Sequence, residues 1–165
     1  MPLPAALQVL AEPIPLPIVQ RAAQLAFDRI LHRHPKLIGR LGAHANRSVC
    51  FGPTDLPFEF VIRPSAKRVA AFPRGRSLRH DAKVAGPFFL LLALAEGRLD
   101  GDAEFFGRQL SIEGDMEAVL ALRNAMENES LDFVSDLAPS NRFLRTAVKA
   151  LLGRIREAAL KNGGR

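Results

Sequence analysis

The run Pro87–Ala95, PFFLLLALA, is nine apolar residues without a break. As a helix it is about 14 Å long, less than half the thickness of bilayer hydrocarbon. A helix that is apolar all round has no side to turn toward water, so other parts of the chain must enclose it. At 165 residues the chain is long enough to supply one such core and reads as a single domain.

The enclosing elements are legible on both sides of that run. From Ile18 to Arg33 the residues Val19, Ala22, Ala23, Ala26, Phe27, Ile30 and Leu31 share one helical face. Pro17 and Pro35 punctuate this helix, and a shorter one is expected over Lys36–Ala43. The period then changes to two, predicting strands at Arg47–Phe51, Pro57–Arg63 and Lys67–Phe72, with a short fourth at His80–Val84. In the second strand Phe58, Phe60 and Ile62 fall on one face. After the apolar helix, Leu110 and Ile112 alternate with Gln109, Ser111 and Glu113, predicting a last strand over Phe106–Glu113. Gly114-Asp115 turns the chain, and Asp115 is placed to cap a helix carrying Met116, Val119, Leu120, Leu122 and Met126. Residues 127–140 read as an acidic connector. A final helix then presents Leu144, Ala147, Val148, Leu151, Leu152 and Ile155. Short strands flanked by helices give an α+β fold with a mainly antiparallel sheet.

Charge is segregated along the chain. Residues 1–140 hold 16 basic and 16 acidic residues, whereas residues 141–165 hold seven basic residues against Glu157 alone. The net charge of +6 therefore resides in the last 25 residues. A basic amphipathic helix there would suit an anionic lipid surface through Arg142, Arg145, Lys149, Arg154 and Arg156, or it could pack on the domain. A basic nucleic-acid-binding or adaptor module is the rival reading. It lacks an RNA-binding aromatic signature and helix-turn-helix spacing, so nucleic acid is not the expected partner. Between Glu96 and Asp136, eleven acidic residues face three basic ones.

Catalytic signatures are absent. There is no G-x-S-x-G elbow, phosphate-binding loop or dinucleotide fingerprint. His32 and His34 point apart on a helix and lack further ligands, so no metal or other cofactor is expected. Asp100–Glu104 lacks calcium-loop spacing. His80 and Asp81, adjacent in a strand, face opposite ways. Cys50, the lone cysteine, sits in an apolar run and reads as a buried thiol. Pro2, Pro4, Pro13, Pro15 and Pro17 break up the first 17 residues, which have no basic n-region. That segment does not resemble a signal peptide, and a cytoplasmic protein is expected.

The segment EFFGRQLSIEGDM, Glu104–Met116, resembles the signature of the SCP2 sterol-carrier domains: a turn leads into a strand, then a Gly-Asp turn and an amphipathic helix. The longer string DGDAEFFGRQLSIEGDMEAVLALRNAM is similar to the UbiT branch of bacterial ubiquinone-biosynthesis accessory factors. The resemblance covers roughly Arg47–Met126. It implies a sheet and covering helices that enclose an apolar tunnel, in a lipid-binding domain over residues 18–140, preceded by the Pro-rich segment 1–17 and followed by the basic helix 141–165. Phe58, Phe60, Ile62, Phe88, Phe89, Leu92, Phe105, Phe106, Leu110 and Ile112 would otherwise be plain core, since sequence does not separate a filled core from a lined cavity. The resemblance makes them the expected lipid-binding wall. It implies a non-enzymatic carrier of an isoprenoid quinone precursor, with the hydroxylases UbiU and UbiV as partners and peripheral contact with the inner face of the membrane. A general phospholipid or fatty-acyl carrier would use the same residues.

Overall fold

A computed structural model describes residues 15–76, 78–97 and 108–137 of the chain. Helix α1 (Leu16–Arg33) opens on Pro15 and Pro17. It is followed by a one-turn helix α2 (Leu37–Arg40) and a 3-10 segment, Gly42–Asn46, where a single short helix was expected. Gly42, at φ +53°, breaks the helical run between them. Then come β1 (Val49–Pro53), β2 (Phe58–Arg63), β3 (Arg68–Pro73) and β4 (Ala82–Gly86), the last shifted two residues from its expected place. Helix α3 (Phe88–Ala95) is the apolar run. Strand β5 (Ser111–Gly114) and helix α4 (Met116–Asn128) follow, and a short helix α5 (Phe133–Asp136) interrupts what reads in sequence as a connector.

The five strands form one sheet in the order β3-β2-β1-β4-β5. Three of its pairings are antiparallel, but β1 and β4 run parallel, Val49 opposite Ala82 through Pro53 opposite Gly86. The β2–β3 hairpin is thus an excursion inserted between two strands that lie side by side. Asp81 fixes the start of that parallel pair. Its Oδ2 accepts from the Ser48 backbone N–H at 2.6 Å and from the Ser48 hydroxyl at 3.0 Å, and its carbonyl accepts from Asp115 N–H at 2.9 Å. Arg47 sits 3.6 Å from Asp81 and 3.4 Å from Asp115. His80 bonds instead to the Leu78 carbonyl at 2.7 Å, so the two neighbours serve separate ends.

β5 is shorter than predicted, because Arg108 and Gln109 form a turn and Leu110 precedes the strand. All four of its residues are exposed, correcting the expectation of a half-buried strand: it is the edge of the sheet. At the opposite edge, α1 lies along β3. Gln20 donates to the Val69 carbonyl at 2.7 Å and accepts from Ala71 N–H at 2.6 Å. Gln24, one turn on, accepts from Val69 N–H at 2.9 Å and donates to the Lys67 carbonyl at 3.0 Å.

The sheet is therefore two-faced. One face carries Val49, Phe51, Phe60, Ile62, Ala82 and Val84; Val49, Ala82 and Val84 join Ile30, Leu37, Leu41, Leu91, Leu122, Ala125 and Leu131 in the main core, with Phe51 packed against it. The other carries Cys50, Val61 and Phe72, a smaller cluster that Leu78 helps cover. Helix α3 buries Phe89, Leu90, Leu91, Ala93 and Ala95, as its composition demands. Its first N–H is capped by Asp55 at 2.9 Å. Asp115 caps α4 through Ala118 N–H at 3.0 Å, as expected.

Gly114 has φ +84°, and a Cβ there would stand 2.3 Å from the Asp81 carbonyl oxygen; Gly75 has a similar φ of +89° with open space around it. Gly75→Ala should therefore cost about 1 kcal/mol, the backbone term alone. Gly114→Ala should cost about 3 kcal/mol or more, because the β4–β5 junction must also shift. Urea denaturation of the two variants measures the difference. The bonds from Ser48, backbone first, hold the Asp81 carboxyl below its usual range. Its contribution to stability is then present above the unfolded value of about 3.9 and is lost as pH falls through the folded value. Asp81→Asn should flatten that acid limb of a Tm-versus-pH curve.

Candidate functional site

Between the main-core face of the sheet and the helices lies an apolar cavity of about 150 Å³. Phe51, Phe60, Ile62 and Pro64 form its floor; Phe27, Ile30 and Leu31 of α1 and Leu37, Ile38 and Leu41 around α2 form one side. Phe88, Leu91, Leu92 and Ala95 of α3, Leu122 and Met126 of α4, and Leu131 with Phe133 line the rest. Every lining side chain among the described residues is hydrocarbon or thioether. Such a lining holds water poorly and offers a ligand no directional bond. Its binding energy is transfer energy, about 0.8 kcal/mol for each methylene taken out of water. At this size the space accepts a ring or a short stretch of chain, whereas sites for larger ligands span roughly 300–1,000 Å³.

The lining follows from local periodicity. Phe27, Ile30 and Leu31 fall on the i, i+3, i+4 face of α1. Phe60 and Ile62 are alternate residues of β2 with Val61, fully buried, on the opposite face. Phe88, Leu91, Leu92 and Ala95 make one stripe of α3.

The structure divides the residues singled out from the sequence. Phe60, Ile62, Phe88 and Leu92 line the cavity. Phe58 shares their face of β2 but lies beyond the cavity's end, opposite Pro73. Phe89 is buried but is not part of the lining, and it packs edge-on to Phe88 at 5.5 Å between centroids. Leu110 lies against Gly86, and Ile112, 37% exposed, stands on the sheet edge. Phe105 and Phe106 lie outside the described residues, as do Arg142, Arg145, Lys149, Arg154 and Arg156. Sequence reasoning passed over Phe27, Phe51, Leu91, Met126 and Phe133. The first four stand in stripes already visible as apolar, but nothing in sequence said that those stripes face one another. Phe133 was hidden in an acidic stretch.

On the other face of the sheet, Lys83 Nζ pairs with Glu59 Oε1 at 2.8 Å, and the Cys50 thiol lies 3.9 Å from Glu59 Oε2. Glu59 is 7% exposed. Burial, then the neighbouring Glu59 carboxylate, push the Cys50 thiol up to about 11, while the bond to Glu59 raises Lys83. Cys50 is thereby kept as an inert thiol. Among the described residues, no three His, Cys, Asp or Glu side chains converge as metal ligands. No described helix is long and apolar enough to cross a membrane.

Residues 27–127 match the SCP-2 sterol transfer family over their whole span. The chain belongs to this family. Among solved structures, the SCP-2 fold of this chain is similar to one titled "UbiJ-SCP2 Ubiquinone synthesis protein", with 16% identity, a TM-score of 0.55, and coverage of 72% of this chain and 98% of that one. It is also similar to the sterol carrier protein domain 2 of Helicoverpa armigera, at 16% identity and TM-score 0.44 over 64% and 83% of the two chains. At such identities the likeness concerns the fold. No curated protein matches the chain. The family match begins within α1 and ends one residue before the end of α4, so that the cavity is lined mostly by residues within the match, with Leu131 and Phe133 beyond it.

Iodoacetamide should leave Cys50 unmodified in the folded protein at mildly alkaline pH and alkylate it rapidly in denaturant. Intact mass spectrometry reads both states. Modification at the unfolded rate without denaturant would show the thiol to be accessible.

Proposed function

We propose that this chain is a non-enzymatic lipid-binding accessory factor of oxygen-independent ubiquinone synthesis. It holds a prenylated quinone precursor by its apolar part and presents the ring to hydroxylases of the UbiU and UbiV kind. The observation that carries the lipid reading is the lining: sheet, α1, α3, α4 and α5 converge on one space without a polar side chain among the described residues. Membership of the SCP-2 sterol transfer family supports it. The pathway is favoured by the sequence likeness to the UbiT branch, and by a structural neighbour whose title names ubiquinone synthesis. A general phospholipid or acyl-chain carrier would use the same wall, since hydrocarbon burial is indifferent to the headgroup. The protein would work from the cytoplasm, with the basic segment 141–165 meeting anionic lipid.

Mass spectrometry of an organic extract of the purified protein tests the ligand. A stoichiometric prenylated ring supports the pathway assignment; phospholipid alone leaves a carrier of a different cargo; a protein that is empty and refuses added lipid overturns the cavity reading. Leu92→Trp places an indole in the cavity of a protein that has no tryptophan of its own. It should lower lipid affinity at least about tenfold, equivalent to about 1.4 kcal/mol, with the fold preserved by circular dichroism. Deleting residues 141–165 should weaken binding to anionic vesicles while leaving uptake of lipid from solution intact.

A further inference from the structure

We infer that Arg123 is the polar anchor of the lipid site and selects ligands that end in a carboxylate. This rests on the lipid-binding reading of the main cavity and says which end of a ligand goes where. Beside that cavity lies a second, smaller space of about 20 Å³. Phe51, Leu91, Ala95, Leu122 and Met126 face both spaces, so the two are neighbours divided by side chains. Val49 of β1, Val84 of β4, Leu94 of α3, and Val119 and Arg123 of α4 complete the smaller one.

Helical repeat puts Arg123 there. Val119, Leu122, Arg123 and Met126 stand at i, i+3, i+4 and i+7 of α4, the stripe that this helix turns inward. A guanidinium is out of pattern in that stripe, since the other nine residues lining the small space are apolar. Its Nε–H is buried and has no hydrogen-bond partner. Among the described residues no carboxylate forms an ion pair with Arg123. Glu127, one turn on, lies beside Gly97. Elsewhere the buried charges are matched: Glu59 meets Lys83, and Asp136 meets Arg33. Arg123 lacks the corresponding anion.

The chemistry of the missing partner follows. A guanidinium stays charged at any working pH, and a charged donor held away from water without an acceptor is costly. A space of this size holds a single small group, one water molecule or one oxygen atom. It therefore takes the head of a ligand and not its body. A carboxylate oxygen there accepts from Nε–H and supplies the absent charge. Its chain then runs past Met126, an unbranched and adaptable thioether, into the main cavity. A hydroxyl would meet the donor without the charge, and a hydrocarbon would meet neither. The larger space is the tail's, and the smaller one fixes its orientation.

Titration calorimetry with dodecanoate and with dodecanol, each below its aggregation limit and at mildly alkaline pH, tests the anchor. Arg123→Met keeps an unbranched side chain and removes the donors. It should weaken dodecanoate binding at least about tenfold and dodecanol binding by less than about threefold. In the wild type, the Arg123 Nε–H resonance should shift on adding dodecanoate and hold still with dodecanol, a readout that stands even if Arg123→Met fails to fold. Equal weakening of both ligands would make Arg123 an ordinary piece of wall. Unchanged affinities, or a resonance indifferent to dodecanoate, would leave only water at its Nε. Any of these results overturns the anchor while the lipid reading stands. If the wild type binds neither amphiphile, the lipid reading itself fails and takes the anchor with it.

Discussion

The parallel pairing of β1 with β4 is the constraint on which the remaining structure depends. Two adjacent parallel strands cannot be joined by a tight turn, and here the connection is the β2–β3 hairpin with the loop after it. That excursion puts β2 beside β1 on one side and leaves the other side for β4. It also delivers the end of β4 at Gly86, beside Pro53, so that the apolar helix starts directly over the face bearing Phe51 and Phe60. Had β4 paired at the far side of β3, α3 would begin at an edge and lack a floor. The Asp81–Ser48 bonds act at the opposite end of the same pair, where a slip of one residue would turn Val84 outward and bring Lys83 into the core.

Much of this was legible in the sequence. The apolar helix, the stripe of α1, the alternation of β2 and the Asp115 cap are local patterns set by one element at a time, and each stands where periodicity put it. What was not legible is which elements meet. Alternation in Val49–Pro53 reveals its two faces but not that its partner runs parallel. Phe58 and Phe60 look alike in sequence, yet only Phe60 lines the cavity. Ile112 alternates as a half-buried residue should and shares the face of Val84, yet it is 37% exposed because it stands on the edge strand. The acidic run after Met126 looked like a solvated connector because the side chains that Glu129 and Asp136 meet, Arg40 and His34, lie some ninety to a hundred positions earlier.

The two faces of the sheet show how one set of strands serves two chemistries. On the cavity side the alternate residues are Val, Phe and Ile, and the space is lined by apolar side chains. On the other side the intervening residues place a carboxylate, an ammonium and a thiol within contact of one another. The Glu59–Lys83 pair satisfies both charges there, while burial, and then the Glu59 carboxylate, keeps the Cys50 thiol protonated.

The two glutamines of α1 have one more consequence. A free sheet edge is a template for another chain, and proteins commonly blunt such edges. By meeting Lys67, Val69 and Ala71 with side-chain amides, Gln20 and Gln24 act as a counterfeit strand: they occupy the hydrogen-bonding sites along that edge without supplying a backbone that could be extended. Among the described residues the sheet is thus polarised, sealed along β3 and unpaired along the outer side of β5. Strand addition to the described sheet is thereby turned away from β3 and toward the β5 side, where Ile112, Met116 and Leu120 stand exposed.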